Sequence, residues 1–187
     1  QDDFFLDPRC PSFALLSHRV PPVCLTLLSV RRFLEGIPGA LPNVPFYANR
    51  PKPRLNSDPD FIREALVESG SAFLLDLAHA RVAAHHRQED INEYLSDLPL
   101  ELVKEIHISG PRMEEAGLMD RHLTLQDDDW NLLRWTLERT SSAEILTHEY
   151  LGLRPKTLQY ADAHGPAPLL SEIRKMDALR CQILEGQ

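Results

Sequence analysis

The sequence has few cysteines, and their arrangement argues against two classes of protein. Cys10, Cys24 and Cys181 are an odd number, and no two of them have Cys-x-x-Cys spacing. A disulfide-stapled secreted domain needs paired cysteines, and a thiolate zinc site needs closely spaced ones. The cysteines therefore indicate neither, and they favour a reducing cytoplasm.

Long apolar runs and an excess of basic residues are also missing. The apolar stretch at residues 23–30 is too short to span a bilayer, and paired prolines and paired arginines bracket it. A formal charge of −8 provides no broad basic surface for nucleic-acid phosphates. We therefore expect no membrane association and no nucleic-acid partner. With 187 residues and 43% hydrophobic content, the chain is long enough for one domain with a substantial core.

The pattern of the chain changes near residue 42. Residues 1–41 are rich in proline and have no sustained strand alternation, so we treat them as a poorly specified N-terminal segment. Residues 42–187 alternate short apolar runs with helical patterns, which is typical of parallel βαβ units. The predicted elements are a short strand at 43–47, a helix at 59–69, a strand at 72–77, a helix at 91–96, a strand at 103–109, a loop to 122, a helix at 128–139, a strand at 144–150 and a helix at 168–184.

Side chains that commonly bind metals recur at or just beyond the ends of the predicted strands. In a parallel β/α barrel these ends converge on a common mouth. Three imidazoles and three carboxylates there could hold two or more ions of iron, manganese or zinc. A single aspartate could equally cap a turn, but independent caps would not share the strand-end position. The predicted ligands are Asp76, His79, His107, Asp120, His122 and Glu149.

Four segments together resemble a known family. They are Leu75-Asp76-Leu-Ala-His79-Ala-Arg81, Glu105-Ile-His107-Ile-Ser109-Gly110-Pro111-Arg112, Asp120-Arg-His122 and Thr147-His-Glu149-Tyr150. Over roughly residues 41–187 the chain is similar to the multinuclear non-haem iron-dependent oxidative enzymes, the family that includes the methanobactin biosynthesis protein B. The resemblance implies a xylose-isomerase-like TIM barrel with two or three irons. It also implies that dioxygen oxidises cysteine or another residue of a ribosomally made precursor peptide, and that a partner protein binds the peptide leader.

The resemblance also assigns the ligands to strands. Carried over by position, they come from the fifth to the eighth barrel strands, with Asp120 and His122 in the loop after the sixth strand or in a very short seventh strand. We place Asn43, Ser109 and Arg112 beside the ligands, as residues that support them or contact the substrate. For Ser109, a tight turn is the alternative.

Two features depart from the family pattern. Where that pattern has a Glu-Asn pair at the fourth strand, this chain has Pro42-Asn43. We identify no counterpart of the earlier strands, and a full barrel needs about 250 residues. We therefore interpret residues 42–187 as the C-terminal half of a TIM barrel, with about four or five βα units.

Two other functions fit the same residues. Apurinic-site endonucleases and sugar isomerases of the xylose-isomerase-like superfamily place similar ligands on successive strands, where metals activate water or hold a sugar hydroxyl pair. The chain could also be an inactive truncated form that retains a partner-binding surface. The metal content of the purified protein, and the identity of that metal, would distinguish these hypotheses.

Overall fold

The computed structural model describes residues 39–49, 54–151 and 166–185, so most of the predicted N-terminal segment lies outside the described residues. The described residues form six strands and five α-helices. The strands are β1 (Ala40–Pro42), β2 (Ala72–Asp76), β3 (Val103–Ile108), β4 (Gly110–Glu114), β5 (Gly117–Leu123) and β6 (Ile145–His148). The α-helices are α1 (Pro59–Ser69), α2 (Leu77–Arg87), α3 (Ile91–Asp97), α4 (Asp127–Leu137) and α5 (Pro166–Glu185). Short 3₁₀ helices cover Arg54–Ser57 and Leu100–Leu102.

Four strands form a parallel sheet in the order β1-β2-β3-β6. Parallel neighbours need long crossover connections, and here α1 lies between β1 and β2, while α2 and α3 lie between β2 and β3. The predicted alternation of strands and helices is therefore confirmed. The sheet is compatible with part of an α/β barrel.

The two faces of the sheet differ in polarity. Phe73 and Leu75 of β2 and Ile106 of β3 are fully buried and belong to the core that the helices cover. Because side chains alternate along a strand, Glu105 and His107 project from the opposite face of β3, where they are only partly buried. This polar face continues to the strand ends where the predicted ligands lie.

Helix α1 begins and ends where its local signals predict. Asp58 caps it by accepting a hydrogen bond from the Phe61 N–H, and Pro59 occupies the first turn. Gly70 ends the helix in the left-handed conformation with φ of 58°, which a residue without Cβ adopts readily. The prediction of a helix at 59–69 is confirmed.

The predicted strand at 43–47 is wrong. β1 ends at Pro42, and residues 43–47 have no regular secondary structure. Pro45 has no N–H to donate to a ladder. Asn43 takes over the contact with β2 through its side chain instead of its backbone.

Helix α2 was not predicted as an element. Its buried residues surround the helix instead of forming one stripe, and they include Leu77, Ala80, Val82 and Ala84. A periodicity search looks for a polar face opposite an apolar one, and this helix lacks that contrast because neighbouring elements cover it on several sides.

The predicted loop to residue 122 is also wrong, because β4 and β5 form an antiparallel hairpin there. Glu114 pairs with Gly117 across a tight connection, and Gly117 has a φ of 100°. Only glycine adopts that angle readily. The hairpin packs on α2, where Leu118, Met119, Val82 and Tyr47 form a second apolar cluster.

Candidate metal centre

The predicted ligands lie at one edge of the parallel sheet, where the C-terminal ends of β2, β3 and β6 meet. Asp76 is the last residue of β2 and stands in register with His107 of β3. Glu149 directly follows β6, and its N–H donates to the Ile108 carbonyl at 2.9 Å, which continues the ladder. Ligand atoms of Asp76, His107 and Glu149 all lie within 4.8 Å of one another. Three adjacent strands thus bring two carboxylates and one imidazole together.

His79 reaches the same edge because Asp76 caps α2. Oδ1 of Asp76 accepts a hydrogen bond from the His79 N–H at 2.9 Å. The first turn of the helix then places His79 Nδ1 3.4 Å from Asp76 Oδ2 and 3.0 Å from the Asn43 carbonyl oxygen. Asp76 does cap a turn, but its second oxygen still faces an imidazole, so the capping role and the ligand role are compatible.

Asn43 connects β1 to the site. Its amide nitrogen donates to the Asp76 carbonyl at 2.9 Å, and its Oδ1 accepts from the Asp76 N–H at 2.7 Å. The residue is only 1% exposed. The two bonds satisfy both backbone polar groups of Asp76 and fix where its carboxylate lies.

Asp120 and His122 come from an irregular part of β5. Pro111 of β4 stands opposite residues 120–122 of β5, so three residues face one. Pro111 cannot donate to the ladder, and a bulge of this kind redirects side chains. His122 has a φ of 53°, which is uncommon for a residue with a side chain. The bulge turns both Asp120 and His122 toward the strand ends.

Two carboxylates join the imidazoles into one cluster. Asp120 Oδ2 lies 3.2 Å from His79 Nε2, and Asp120 Oδ1 lies 3.0 Å from His122 Nδ1. Glu149 Oε1 lies 2.8 Å from His107 Nδ1, and Glu149 Oε2 lies 2.7 Å from His122 Nε2. The structure therefore brings all six predicted ligands together. That they bind metal stays a prediction.

The cluster perturbs the titration of its members. Burial raises the pKa of Asp76, although the charge of His79 acts to lower it. Burial would lower the pKa of His79, but its hydrogen bond to Asp120 and the charge of Asp76 outweigh that effect and raise the pKa to about 9. Burial would raise the pKa of Asp120, but hydrogen bonds to His122 and His79 hold this pKa well below the usual range. The hydrogen bond to Asp120 raises the pKa of His122. The cluster thus favours positive charge on the imidazoles of His79 and His122.

The supporting residues occupy different positions. Ser109, which is 2% exposed, donates from Oγ to Asp120 Oδ1 at 3.2 Å. Arg112 donates to the carbonyl and the hydroxyl of Thr124 at 3.0 and 3.1 Å, and so ties the hairpin to the segment that leads into α4. Pro42, where the family pattern has a glutamate, is an exposed proline. Contacts of any of these residues with a substrate stay predictions.

Two residues that contact the cluster, Glu105 and Tyr47, and a third that contacts Glu105 were not predicted. Glu105 Oε1 lies 2.7 Å from His107 Nε2 and accepts a hydrogen bond from Thr147 Oγ1 at 3.1 Å. The Tyr47 hydroxyl accepts a long hydrogen bond of 3.4 Å from the Asp120 N–H. The spacing of two between Glu105 and His107 was an available signal, because residues i and i+2 of a strand share a face.

These features define a parallel α/β protein with a candidate metal site of carboxylates and imidazoles at the C-terminal edge of its sheet. The model of one family, described as the RiPP precursor modification enzyme MbnB/TglH/ChrH, matches residues 16–149. That match covers more than half of the chain, so the chain belongs to this family of enzymes that modify ribosomally made precursor peptides. The family resemblance seen in the sequence is confirmed.

Curated relatives are named only as UPF0276 proteins. The protein from Paraburkholderia phytofirmans is 36% identical over 96 residues, which cover 48% of this chain and 31% of the relative. The one from Psychromonas ingrahamii is 31% identical over 96 residues, covering 49% and 34%. The one from Acaryochloris marina is 28% identical over 124 residues, covering 65% and 41%. The matched part of the chain spans less than half the length of these relatives.

Within the described part of the chain, none of the helices is long and apolar enough to cross a membrane. The longest of them, α5, carries charged residues along its length.

Proposed function

We propose that this chain forms part of an iron-dependent oxidase that uses dioxygen to modify cysteine or another residue of a ribosomally made precursor peptide. Residues 42–187 would then be the C-terminal half of a xylose-isomerase-like TIM barrel whose mouth holds two or three irons. The observation that carries the proposal is the continuous cluster of three imidazoles and three carboxylates. Membership in a precursor-modifying family supports the peptide as substrate.

The ligand atoms fit iron. Imidazole nitrogen and carboxylate oxygen suit iron, manganese and zinc, and no thiolate from the described part of the chain takes part in the cluster. Burial is the main cause of the raised pKa of Asp76, and the charges of Asp120 and Glu149 add to it, so a cation bound there would relieve a crowding of negative charge. Asp76, His107 and Glu149 would hold one ion. His79, Asp120 and His122 would supply ligands for a second.

Bound non-haem iron supplies activation of dioxygen, with open positions for a substrate atom. The residues of the chain would bind the iron and orient its ligands. Asn43 fixes the backbone of Asp76, and Ser109 donates to Asp120. The protons that His79 and His122 favour in this cluster would be released on metal binding, because an imidazole ligand is neutral.

The exposure of the cluster side chains supports an approach of the substrate from one side. The side chains of Asp76 and Asp120 are 5% and 8% exposed, whereas that of Glu149 is 33% exposed. His122, next to Glu149, is 23% exposed. We propose that the peptide reaches the site over Glu149 and His122, while Asp76 and Asp120 form its closed floor.

The precursor peptide and a leader-binding partner protein complete this proposal. The family match supports a peptide substrate, and the partner follows from the resemblance. A cytoplasmic location would suit reduced cysteines in the substrate and the small number of cysteines in this chain.

The first test is metal retention. The protein is purified without air, loaded with ferrous iron and desalted, and iron per chain is measured for wild type, His107→Ala and His85→Ala. His85 is an exposed histidine on α2 and serves as the matched control. We expect His107→Ala to lose most of the iron and His85→Ala to retain it. Equal retention in the two variants would contradict the assignment of the site.

The second test addresses the reaction. The protein is combined with a cysteine-containing precursor peptide and its partner, and the peptide mass is followed with and without dioxygen. A dioxygen-dependent mass change that is absent in His107→Ala supports the proposal. Retention of zinc or manganese with cleavage of abasic DNA or isomerisation of a sugar would instead favour the hydrolase or isomerase. A folded chain that retains no metal would favour the inactive form.

A further inference from the structure

The two ring nitrogens of His107 face different carboxylates. Nδ1 lies 2.8 Å from Glu149 Oε1, and Nε2 lies 2.7 Å from Glu105 Oε1. A neutral imidazole carries one proton and offers one free nitrogen to a metal. The choice of nitrogen therefore decides how His107 takes part in the site.

The surroundings of the two nitrogens differ. Nδ1 points to Glu149, and the ligand atoms of Asp76, His107 and Glu149 gather within 4.8 Å. On the other side of the ring, Glu105 Oε1 already accepts a hydrogen bond from Thr147 Oγ1 at 3.1 Å. An oxygen that already accepts a hydrogen bond from a hydroxyl is well placed to accept a second hydrogen bond, from the Nε2–H of His107. Glu149, one of the carboxylates that would share a metal with His107, lies on the Nδ1 side.

The sheet builds this arrangement. Glu105 and His107 are two residues apart on β3, so both project from its polar face. Thr147 of β6 stands in register with His107, which brings its hydroxyl beside Glu105. Glu149 lies two residues beyond Thr147 and so reaches the other edge of the same ring. Regular strand geometry thus puts one carboxylate below the imidazole and one above it.

We infer that Glu105 is a positioning residue, which accepts a hydrogen bond from the Nε2–H of His107 and so fixes the tautomer that presents Nδ1 to the metal. The inference rests on the proposed function, because it needs a metal at the cluster. A carboxylate behind a ligand histidine orients the ring and makes it a better donor. Thr147 holds the carboxylate in place.

The first experiment measures the affinity for Zn²⁺ by competition with a chromophoric chelator. Loss of such a supporting carboxylate weakens metal binding by roughly 10- to 100-fold, and we expect that loss for Glu105→Ala. Glu105→Gln keeps an acceptor oxygen and should lose less. Glu144→Gln removes an equal charge from an exposed ion pair with Lys104 on the same sheet and should bind as wild type does.

The outcomes separate the two proposals. If His107→Ala binds Zn²⁺ as wild type does, the proposed metal site is wrong. If His107→Ala loses affinity while Glu105→Ala and Glu105→Gln both keep it, the metal site stands and the role of Glu105 is overturned. Thermal unfolding of each variant, followed by circular dichroism, identifies a loss of affinity that comes from misfolding. If Glu105→Ala misfolds, the affinity of the isosteric Glu105→Gln variant is compared with that of wild type instead.

The second experiment reads the tautomer directly. Histidine-selective ¹⁵N labelling of the Zn²⁺-bound protein distinguishes a protonated ring nitrogen from a coordinated one, and His107→Ala assigns the signal. We expect the proton on Nε2, and faster exchange of that proton with water in Glu105→Ala. A proton on Nδ1 with Nε2 coordinated would overturn the inference, whatever the affinities.

Discussion

Replacing Asn43 with alanine tests whether β1 controls the position of the first predicted ligand. The change removes the acceptor for the Asp76 N–H and the donor to its carbonyl, both at a site that is 1% exposed. Each buried polar group left unpaired costs about 1–3 kcal/mol. A water admitted to the vacated space offsets part of that cost. We therefore expect the free energy of unfolding to fall by about 2–4 kcal/mol.

Urea unfolding followed by circular dichroism measures this loss, and thermal unfolding provides a second reading. For a chain of this size, each kcal/mol lowers Tm by about 2–4 °C, so the expected shift is roughly 4–16 °C. The control is Asn131→Ala, because Asn131 lies exposed on α4 and its replacement should change stability by less than about 0.5 kcal/mol.

The reasoning also predicts a weaker metal site in Asn43→Ala, since Asp76 loses both bonds that fix its backbone. A loss of stability below about 1 kcal/mol, close to that of Asn131→Ala, would refute the argument. It would mean that the backbone groups of Asp76 find other partners as soon as Asn43 is removed.

Two further predictions concern the segments around the hairpin. Glu172 of α5 accepts a 2.6 Å hydrogen bond from the Leu125 N–H. Glu172→Ala should therefore lower the free energy of unfolding by about 1–3 kcal/mol, and Glu172→Gln should lower it by less. Equal losses for the two variants in urea unfolding would show that the carboxylate charge, and not the hydrogen bond, stabilises the fold. A Cβ on Gly110 would lie 2.0 Å from the Thr124 carbonyl oxygen, whereas one on Gly39 would meet no atom of the described residues within 4 Å. Gly110→Ala should therefore cost about 3 kcal/mol or more, while Gly39→Ala stays within about 0.5 kcal/mol; similar values for the two variants would contradict the close approach.

Elements with local signals could be predicted from the sequence. Helix α1 has its cap, its first-turn proline and its terminal glycine within a dozen residues, so its bounds agree with the prediction. β2 is a short, mostly apolar run and β3 mixes apolar with polar residues, and their observed ends lie within one residue of the predicted ones. In each case the residues that decide the structure are neighbours in the chain.

The hairpin and α2 could not be predicted in the same way. β4 contains a proline and charged residues, and its strand conformation depends on pairing with β5. The buried surface of α2 is set by the sheet on one side and the hairpin on another, which leaves no apolar stripe to recognise. Cross-strand pairing and burial on several sides are decided by distant parts of the chain, so a window of sequence does not reveal them.

The sequence by itself determined the residue types of the predicted ligands and, for those at the ends of the parallel strands, where they meet. Parallel strands place their C-terminal ends at one edge, so residues at those ends converge once the topology is known. Only the tertiary structure decided how they meet. The bulge that turns His122 toward Glu149 depends on Pro111 across the hairpin. The side-chain geometry of adjoining strands also decides which groups face the ring of His107. Glu105 lies at Nε2, and Glu149, 42 positions after His107 in the chain, lies at Nδ1. Periodicity selects the face of a strand, but the direction of a ring on that face is set by the packing around it.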